Sequence, residues 1–391
     1  MTLAHRIQLR PTVKQAQYFS QACGTARFTW NWALAEWNRQ YAAGLKPKAA
    51  NLKRQFNAIK YEQFPWLKDI HRDAHAQPFA QIAAAWGNFF EGRAERPKFK
   101  KKGKCRDSFY VANDKFRISE KGINLPIIGE VKGREHLRFN GEVQGAIVSR
   151  EADRWFISVT VETGEPDSGI PPEAPVGVDL GISVFAKLST GEDVFAPRPL
   201  KKAQARLRRL NRRLARTRRA SKNHKKAAMR LARQHRRVRN IRQDFLHKFT
   251  TTLAENHSEI CIEDLNVSGM AKNHSLALHI HDAAWGETRR QLEYKTILYG
   301  SKLTVRDRFY PSSKLCSACG WKNEWLLLSD RVWTCLNCSV INDRDYNAAI
   351  NLIRTVPQAI AGIHASGETG AVRPLGERGT LPCVHIRAQE R

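Results

Sequence analysis

Acid is what this sequence is short of: 37 Asp and Glu stand against 66 Lys and Arg, leaving a formal charge of +29 and a pI near 10.2. A chain with so little to balance its cations points to a polyanionic partner, nucleic acid first. Long apolar runs are missing as well. No stretch approaches the roughly 18 residues needed to span a bilayer, and the opening "MTLAHRIQLRPTVKQ" has no signal-peptide core. The expectation is a soluble cytoplasmic protein with no membrane partner. A disulfide framework is also lacking, because Cys23, Cys105, Cys261 and Cys383 share no spacing. The remaining four of the 8 cysteines then suggest metal ligation in a reducing compartment. There is no internal repeat and no phosphate-cradling Gly-rich loop. What is present is apolar material for real cores, 42% of 391 residues, enough for several domains.

Between Lys14 and Tyr41 the apolar residues fall at Phe19, Cys23, Ala26, Trp30, Ala33, Leu34, Trp37 and Tyr41, the spacing of one helix face. Helix is expected to continue through "QPFAQIAAAWGNFFEG" to about Gly92. Trp30, Trp32 and Tyr41 could stack on bases, although core packing suits most of them better. The basic loop "RPKFKKKGKCRDSF" follows, interleaved with Phe99 and Phe109. There Lys100 and Lys101 are candidates for backbone-phosphate contact, with occasional aromatic stacking. From about Phe109 to Glu162 short apolar runs alternate with Gly, Pro and Asn, and Trp155, Ile157, Val159 and Val161 keep the period of a half-buried strand. This predicts a small β-rich unit. "GEPDSGIPPEAP", Gly164 to Pro175, is the predicted linker after it.

"VGVDLGISVFAKLSTGEDVFAP" contains two strand-like runs joined by a turn, with Asp179 inside the first. Lys201 to Lys248 then carries 20 Lys or Arg against the single acid Asp244. Leu207, Leu210 and Leu214, and later Val238, Ile241 and Phe245, keep helical spacing on either side of "ASKNHK", which predicts a two-helix hairpin. Such a density of one sign repels itself unless a phosphate backbone neutralises it. The candidate contacts there are Arg208, Arg209, Arg212, Arg213, Arg216, Lys222, Lys225, Lys226, Arg236 and Arg239. "HSEICIEDLNVSGM" resumes the strand pattern and ends on Glu263 and Asp264. A helix through "WGETRRQLEYKTILYGSK", a strand "LTVRDRFY", two Cys-x-x-Cys pairs, and "NDRDYNAAINLIRTV", a loop running into a helix, complete the pattern. The tail beyond Pro357 is rich in Gly and Pro without periodicity and is expected to be disordered.

Cys316, Cys319, Cys335 and Cys338 have the C-x₂-C-x₁₅-C-x₂-C spacing of a tetrahedral zinc ribbon. Four thiolates close the coordination shell, so a metal bound there would be structural. Such sites contribute roughly 10–16 kcal/mol of apparent binding energy to folding. The ribbon then acts as a small clamp whose ends return the chain to a chemical site elsewhere.

Three acids stand at the ends of predicted core elements: Asp179 in "GVDLG", Glu263 in "CIEDLN" and Asp345 in "DRDYNAA". Hydrolysis of a phosphodiester by in-line attack uses hard divalent cations about 3.5–4 Å apart, held by carboxylates. Converging acids of this kind would hold Mg²⁺, with Asp179 bridging. Asp179 and Glu263 interrupt apolar strands, where an unpaired carboxylate is costly. Asp345 could instead cap the helix that follows, and Asp343 is its rival as a ligand. Spacing leaves that choice open.

"GVDLGI", "CIEDLNVSGM", "YPSSKLCSACG", the second Cys pair and "DRDYNAAINL", in this order, resemble TnpB, the OrfB-type protein of bacterial insertion sequences and a relative of type V CRISPR effectors. The similarity extends to "RPTVKQAQYFSQACGTARFTWNWAL", "RPKFKKKG" and "ASKNHKKAAMRLARQHRRVRNIRQDFLHKFTTTLA". The resemblance implies an α/β multidomain protein, with a β-barrel wedge domain (1–10 and 109–165) carrying a helical recognition insertion (11–108). An RNase H-like RuvC nuclease (174–311 and 342–356) follows, split by a zinc-ribbon target-nucleic-acid-binding insertion (312–341), and then the tail (357–391). It also implies an RNA-guided DNA endonuclease, a monomer per RNA. Its guide RNA comes from the transposon end, it cuts double-stranded DNA beside a short motif, and Asp179, Glu263 and Asp345 match the catalytic triad. Ser339 stands where Gly usually follows the last Cys, and Asn342 where His often precedes "DRD". Neither change removes a metal ligand. The rival readings are a guided DNA-binding repressor, for which convergent acids have no use, and a strand-transferring transposase, which the zinc insertion and the acid order disfavour.

Overall fold

Alternation makes the first strand. In β1 (Thr2–Arg10), Leu3, His5, Ile7 and Leu9 turn inward while the residues between them face out. The computed structural model describes residues 1–120, 122–164, 169 and 174–354. The expected linker therefore lies mostly, and the expected disordered tail wholly, outside the described residues.

Three helices follow β1: α1 (Val13–Ala42), α2 (Ala49–Gln63) and α3 (Arg72–Phe90). α1 begins with a capping box in which Thr12 Oγ1 accepts from the Gln15 N–H and Gln15 Oε1 accepts from the Thr12 N–H. Its buried face holds Trp30, Leu34 and Trp37 against Phe56, Phe79 and Trp86, with Trp37 and Trp86 stacked at 5.3 Å. Trp30 and Trp32 are thus core residues, whereas Tyr41 is exposed.

The chain then returns to β1 through β2 (Ser108–Ala112), β3 (Arg117–Ile118), β4 (Ile123–Leu125), β5 (Gly129–Gly133), β6 (Glu142–Glu151) and β7 (Arg154–Glu162). These strands pair antiparallel in the order β2-β6-β7-β1-β5-β4-β3, with Ile7, Val111, Val148 and Ile157 in the core. The expected barrel is instead an open run: among the described residues its end strands β2 and β3 do not pair.

The second sheet is built from β8 (Val176–Leu180), β9 (Ala186–Leu188), β10 (Asp193–Val194), β11 (Glu259–Glu263) and β12 (Lys302–Arg306), ordered β10-β9-β8-β11-β12. β8, β11 and β12 are parallel, and β9 is antiparallel to β8. Between β10 and β11 lies the cationic hairpin, α4 (Pro199–Ala215) and α5 (Lys222–Asn256). Its helices meet through Leu207, Val238 and Leu231, while the far end of α5 buries Leu246 and Leu253 beneath the sheet beside Val176 and Ile260. α6 (Val267–Met270), α7 (His274–Ala283) and α8 (Trp285–Tyr299) lead to β12. The last elements are the β13 (Val332–Thr334) and β14 (Ile341–Asp343) pair and α9 (Arg344–Ile353). No described helix is long and apolar enough to cross a membrane.

Candidate metal centres

One row of side chains across the second sheet is charged from edge to edge. Asp193 on β10 lies opposite Lys187 on β9, Lys187 opposite Asp179 on β8, and Glu263 on β11 opposite Arg306 on β12. Val178 is paired with Ile262 in the parallel β8–β11 ladder, so Asp179 and Glu263 are the next neighbours along it. Residues opposite one another share a face, and α9 covers this one, its Ala349 carbonyl lying against Gly177. Both acids therefore emerge at the carboxyl ends of parallel strands, where α/β sheets place their ligands.

Asp179 is half-buried, and its carboxyl is pushed up to about 8, first by removal from water and then by the negative charges of Glu263 and Asp345. Arg344 and Lys187 pull it the other way. Glu263 Oε1 accepts a hydrogen bond from the Ser312 hydroxyl. Asp345, in the first turn of α9, is paired with Arg331 at 3.4 Å. Asp343 has a different occupation. Its Oδ1 accepts the Tyr346 N–H at 2.8 Å, capping α9, and its two oxygens lie 3.1 and 3.2 Å from Lys187 Nζ. The residue read as a possible helix cap, Asp345, is free of that task because its rival performs it. The three carboxylates are not gathered within 4.8 Å of one another among the described residues, as like charges held apart by Ser312 and Arg331 would be.

The four cysteines are gathered. Their Sγ atoms all lie within 4.8 Å of one another, with Cys316 and Cys338 at 3.6 Å and Cys319 and Cys335 at 3.5 Å. Thiolates bound to one tetrahedral ion at about 2.3 Å would be about 3.8 Å apart, so the set fits such an ion. Each pair sits on a tight turn: Gly320 N–H donates to the Cys316 carbonyl, and Ser339 N–H to that of Cys335. Gly320 and Ser339 both have left-handed backbones, φ 80° and 59°, a conformation that suits glycine better than serine. Asn342 is buried and its Nδ2 lies 3.7 Å from Cys316 Sγ, donating to a sulfur of the cluster. Around the thiols Leu326 and Trp333 form a small core, with Trp321 packed against it.

Two buried asparagines join this ribbon to α9. Asn347 exchanges hydrogen bonds with Leu315 O and Ser317 N, and Asn351 donates to Ser312 O and Leu315 O. The ribbon thus begins beside Ser312, the partner of Glu263, and ends on the helix that carries Asp345.

Of the cationic candidates, Arg208, Arg209, Arg212, Arg213, Arg216, Lys222, Lys225, Lys226 and Lys101 are exposed. Three others are occupied. Arg236 is bound to Asp153 at 2.7 Å and to the Glu151 carbonyl, and Arg239 pairs with Glu151, which Arg6 also holds at 2.7 Å. These arginines join α5 to the β6–β7 turn, with Arg239 still exposed. Partial burial opposes it, but Arg236 and Arg233 hold Asp153 down to about 2. Lys100 is turned over the Trp30 ring at 3.9 Å, and burial pushes it down to about 8. Sequence reasoning missed Ser312, Arg331 and Lys187. Only Lys187, a charge inside a short strand run, left a signal that could have been read.

Three family profiles match the chain: OrfB_IS605, described as "Probable transposase", over residues 157–274; "Cas12f1-like, TNB domain" over 285–352; and "Helix-turn-helix domain" over 1–46. The last covers what is here one strand and one long helix. A "Putative RNA-guided DNA endonuclease" of Streptomyces pristinaespiralis is 35% identical over 385 residues, 96% of this chain and 92% of that protein. The InsQ protein of Escherichia coli K12, which bears the same description, is 33% identical over 372 residues, covering 90% and 91%. A "TnpB-like protein" of Acanthamoeba polyphaga mimivirus, L79, is 29% identical over 140 residues, 34% of this chain and 26% of that one. Among solved structures, a chain of the Cas12f1-sgRNA-target DNA complex has a similar fold, with a TM-score of 0.56 at 14% identity over 87% of this chain and 83% of that chain.

Proposed function

The chain belongs to the TnpB family of OrfB-type RNA-guided DNA endonucleases, and from that premise we propose that Asp179, Glu263 and Asp345 form its nuclease site, of RuvC type. The observation that carries this is that Asp179 and Glu263 end adjacent parallel strands on the face α9 covers, and that burial first, then the charges of Glu263 and Asp345, raise the affinity of Asp179 for its proton. Divalent cations such as Mg²⁺ supply there the charge that activates water and stabilises the leaving oxygen. Asp179 on the central strand, Glu263, oriented by Ser312, and Asp345, delivered by α9, would hold them. Arg331, which reaches Asp345 from the ribbon, can turn to the scissile phosphate. The four thiolates hold Zn²⁺ in a closed, structural site.

The wedge (1–10 and 109–165) and helical insertion (11–108) form the guide-binding half. The nuclease (174–311 and 342–356) and ribbon (312–341) form the cutting half. Exposed cations of α4 and α5 contact nucleic-acid backbone. Exchanging a DNA duplex for an RNA–DNA hybrid is near neutral in energy, so such contacts tip it while base pairing reads sequence. One chain acts per guide RNA, which is transcribed from the transposon end, and a short motif beside the target is read by the protein.

The test is cleavage of a plasmid library with Mg²⁺ by protein purified with RNA from its own genomic flank, beside Asp179→Ala. Guide-dependent cuts next to one short motif, lost in the variant, are expected. Binding without cutting by the intact protein would favour a repressor, and strand joining without a guide the transposase.

A further inference from the structure

"NDRDY" offers two carboxylates, Asp343 and Asp345, to one site. A cation site that can recruit either acid has two geometries, and only one suits in-line chemistry. Something must separate them, and it comes from a strand 156 residues away in sequence. Lys187 shares a row and a face with Asp179, yet its ammonium does not bond to that acid. It lies 3.1 and 3.2 Å from the two oxygens of Asp343 and 3.6 Å from Asp193, with its side chain 19% exposed. An uncompensated ammonium beside a divalent cation would be repulsive, but here two carboxylates neutralise it. Asp343 is turned by the same contact toward the Tyr346 N–H, which fixes where α9 starts. At the other end of that helix Arg306 donates to the Leu352 and Ile353 carbonyls. Sheet cations therefore hold α9 at both ends: Arg306 complements the helix dipole at the C-terminal carbonyls, and Lys187 holds Asp343, the carboxylate that complements it at the N-terminus.

We propose that Lys187 is a positioning residue that withholds Asp343 from the cation site, so that Asp345 alone completes it. The proposal rests on the carboxylate reading given above. Without Lys187, Asp343 is held only by the Tyr346 N–H, two residues from Asp345 and able to enter as a fourth acid, and carboxylate count tunes the affinity of a hard-cation site.

Mn²⁺ titration of the full-length protein with its RNA, followed by electron paramagnetic resonance, tests this without any cleavage. In the parent, Asp343→Asn is expected to change the Mn²⁺ dissociation constant by less than about threefold; in Lys187→Met the same substitution weakens binding by about tenfold or more, the non-additivity of two coupled residues. Lys187→Arg, which can keep the pair, behaves as the parent does. Equal effects of Asp343→Asn in both backgrounds would mean that the lysine acts only as a distant charge or a stability contact, and would overturn the proposal. Should Lys187→Met fail to fold, the single variants decide: Asp343→Asn weakening Mn²⁺ as strongly as Asp345→Asn refutes the separation, and an unmoved constant supports it. An Asp179→Ala protein that binds Mn²⁺ as the parent does would overturn the carboxylate reading itself.

Discussion

The carbonyl oxygen of Ala349, on α9, lies over Gly177, on β8, where a Cβ would overlap it. The glycine is there for closeness, two residues before Asp179 on the same face, and it lets the helix that carries Asp345 rest on the strand that carries the central acid. Gly177→Ala should push α9 away from the sheet. We expect a loss of about 3 kcal/mol, at the upper end of overpacking costs, read as a lowered urea midpoint, together with lost cleavage and retained guide-RNA binding.

Metal-free protein should lose stability as pH rises from about 4 to 8 through Asp179. Its carboxyl, at about 8 in the fold against 3.8 ordinarily, holds a proton that the unfolded chain has released, so the folded state is increasingly penalised across that window. Asp179→Asn should flatten this slope and raise stability at pH 8 by at least about 1.4 kcal/mol, the equivalent of one pH unit. Thermal melts in chelator at pH 5 and pH 8 measure it, and a parallel slope in the two proteins would contradict the assignment.

Removing the ribbon's metal should unfold a segment with a core as small as Leu326 and Trp333 around the thiols, with Trp321 against them. Cys335→Ser is expected to bring bound zinc from one per chain to none by elemental analysis. Because Asn347 and Asn351 tie α9 to the start of the ribbon, cleavage should fall while RNA binding persists.

Asp282, buried on α7, accepts the N–H groups of Leu200 and Lys201 and pairs with Arg242. It caps α4 from outside, where Arg198, the N-terminal neighbour, has a left-handed backbone and no capping side chain. Asp282→Ala removes that cap and leaves the Arg242 charge half-buried without its acid. A cost of about 3 kcal/mol is expected, in the range for breaking a buried pair, and denaturant unfolding would reveal it.

Salt dependence should separate the two classes of arginine. Arg208→Gln and Arg212→Gln are each expected to lower the slope of log affinity against log salt by about 0.7–0.9, as removed phosphate contacts do. Arg236→Gln should leave the slope near the parent value and instead loosen the β6–β7 turn from α5, seen as faster proteolysis near Asp153.

The helix hairpin, the apolar strands ending in acids and the cysteine spacing were legible because each is a local pattern of period or interval. The open order of the first sheet was not, since strands as short as Arg117–Ile118 carry no readable alternation and pair only because β4 is beside them. β14 was read as loop for a similar reason: Ile341–Asp343 becomes a strand by pairing with β13.

The sequence by itself determined a cationic excess suited to polyanions, two cysteine pairs spaced for one metal, and acids at the ends of apolar strands, because charge, ligand spacing and strand period are properties of neighbouring residues. Tertiary structure alone decided which acid does what. Asp343 and Asp345 are chemically the same, and only Lys187 and Arg331, brought beside them from other parts of the chain, separate helix cap from candidate ligand. Arg236 and Arg208 are likewise indistinguishable until Asp153 is folded against one of them. A side chain's role follows the charge and water around it, and those are set by residues that the chain brings together only when it folds.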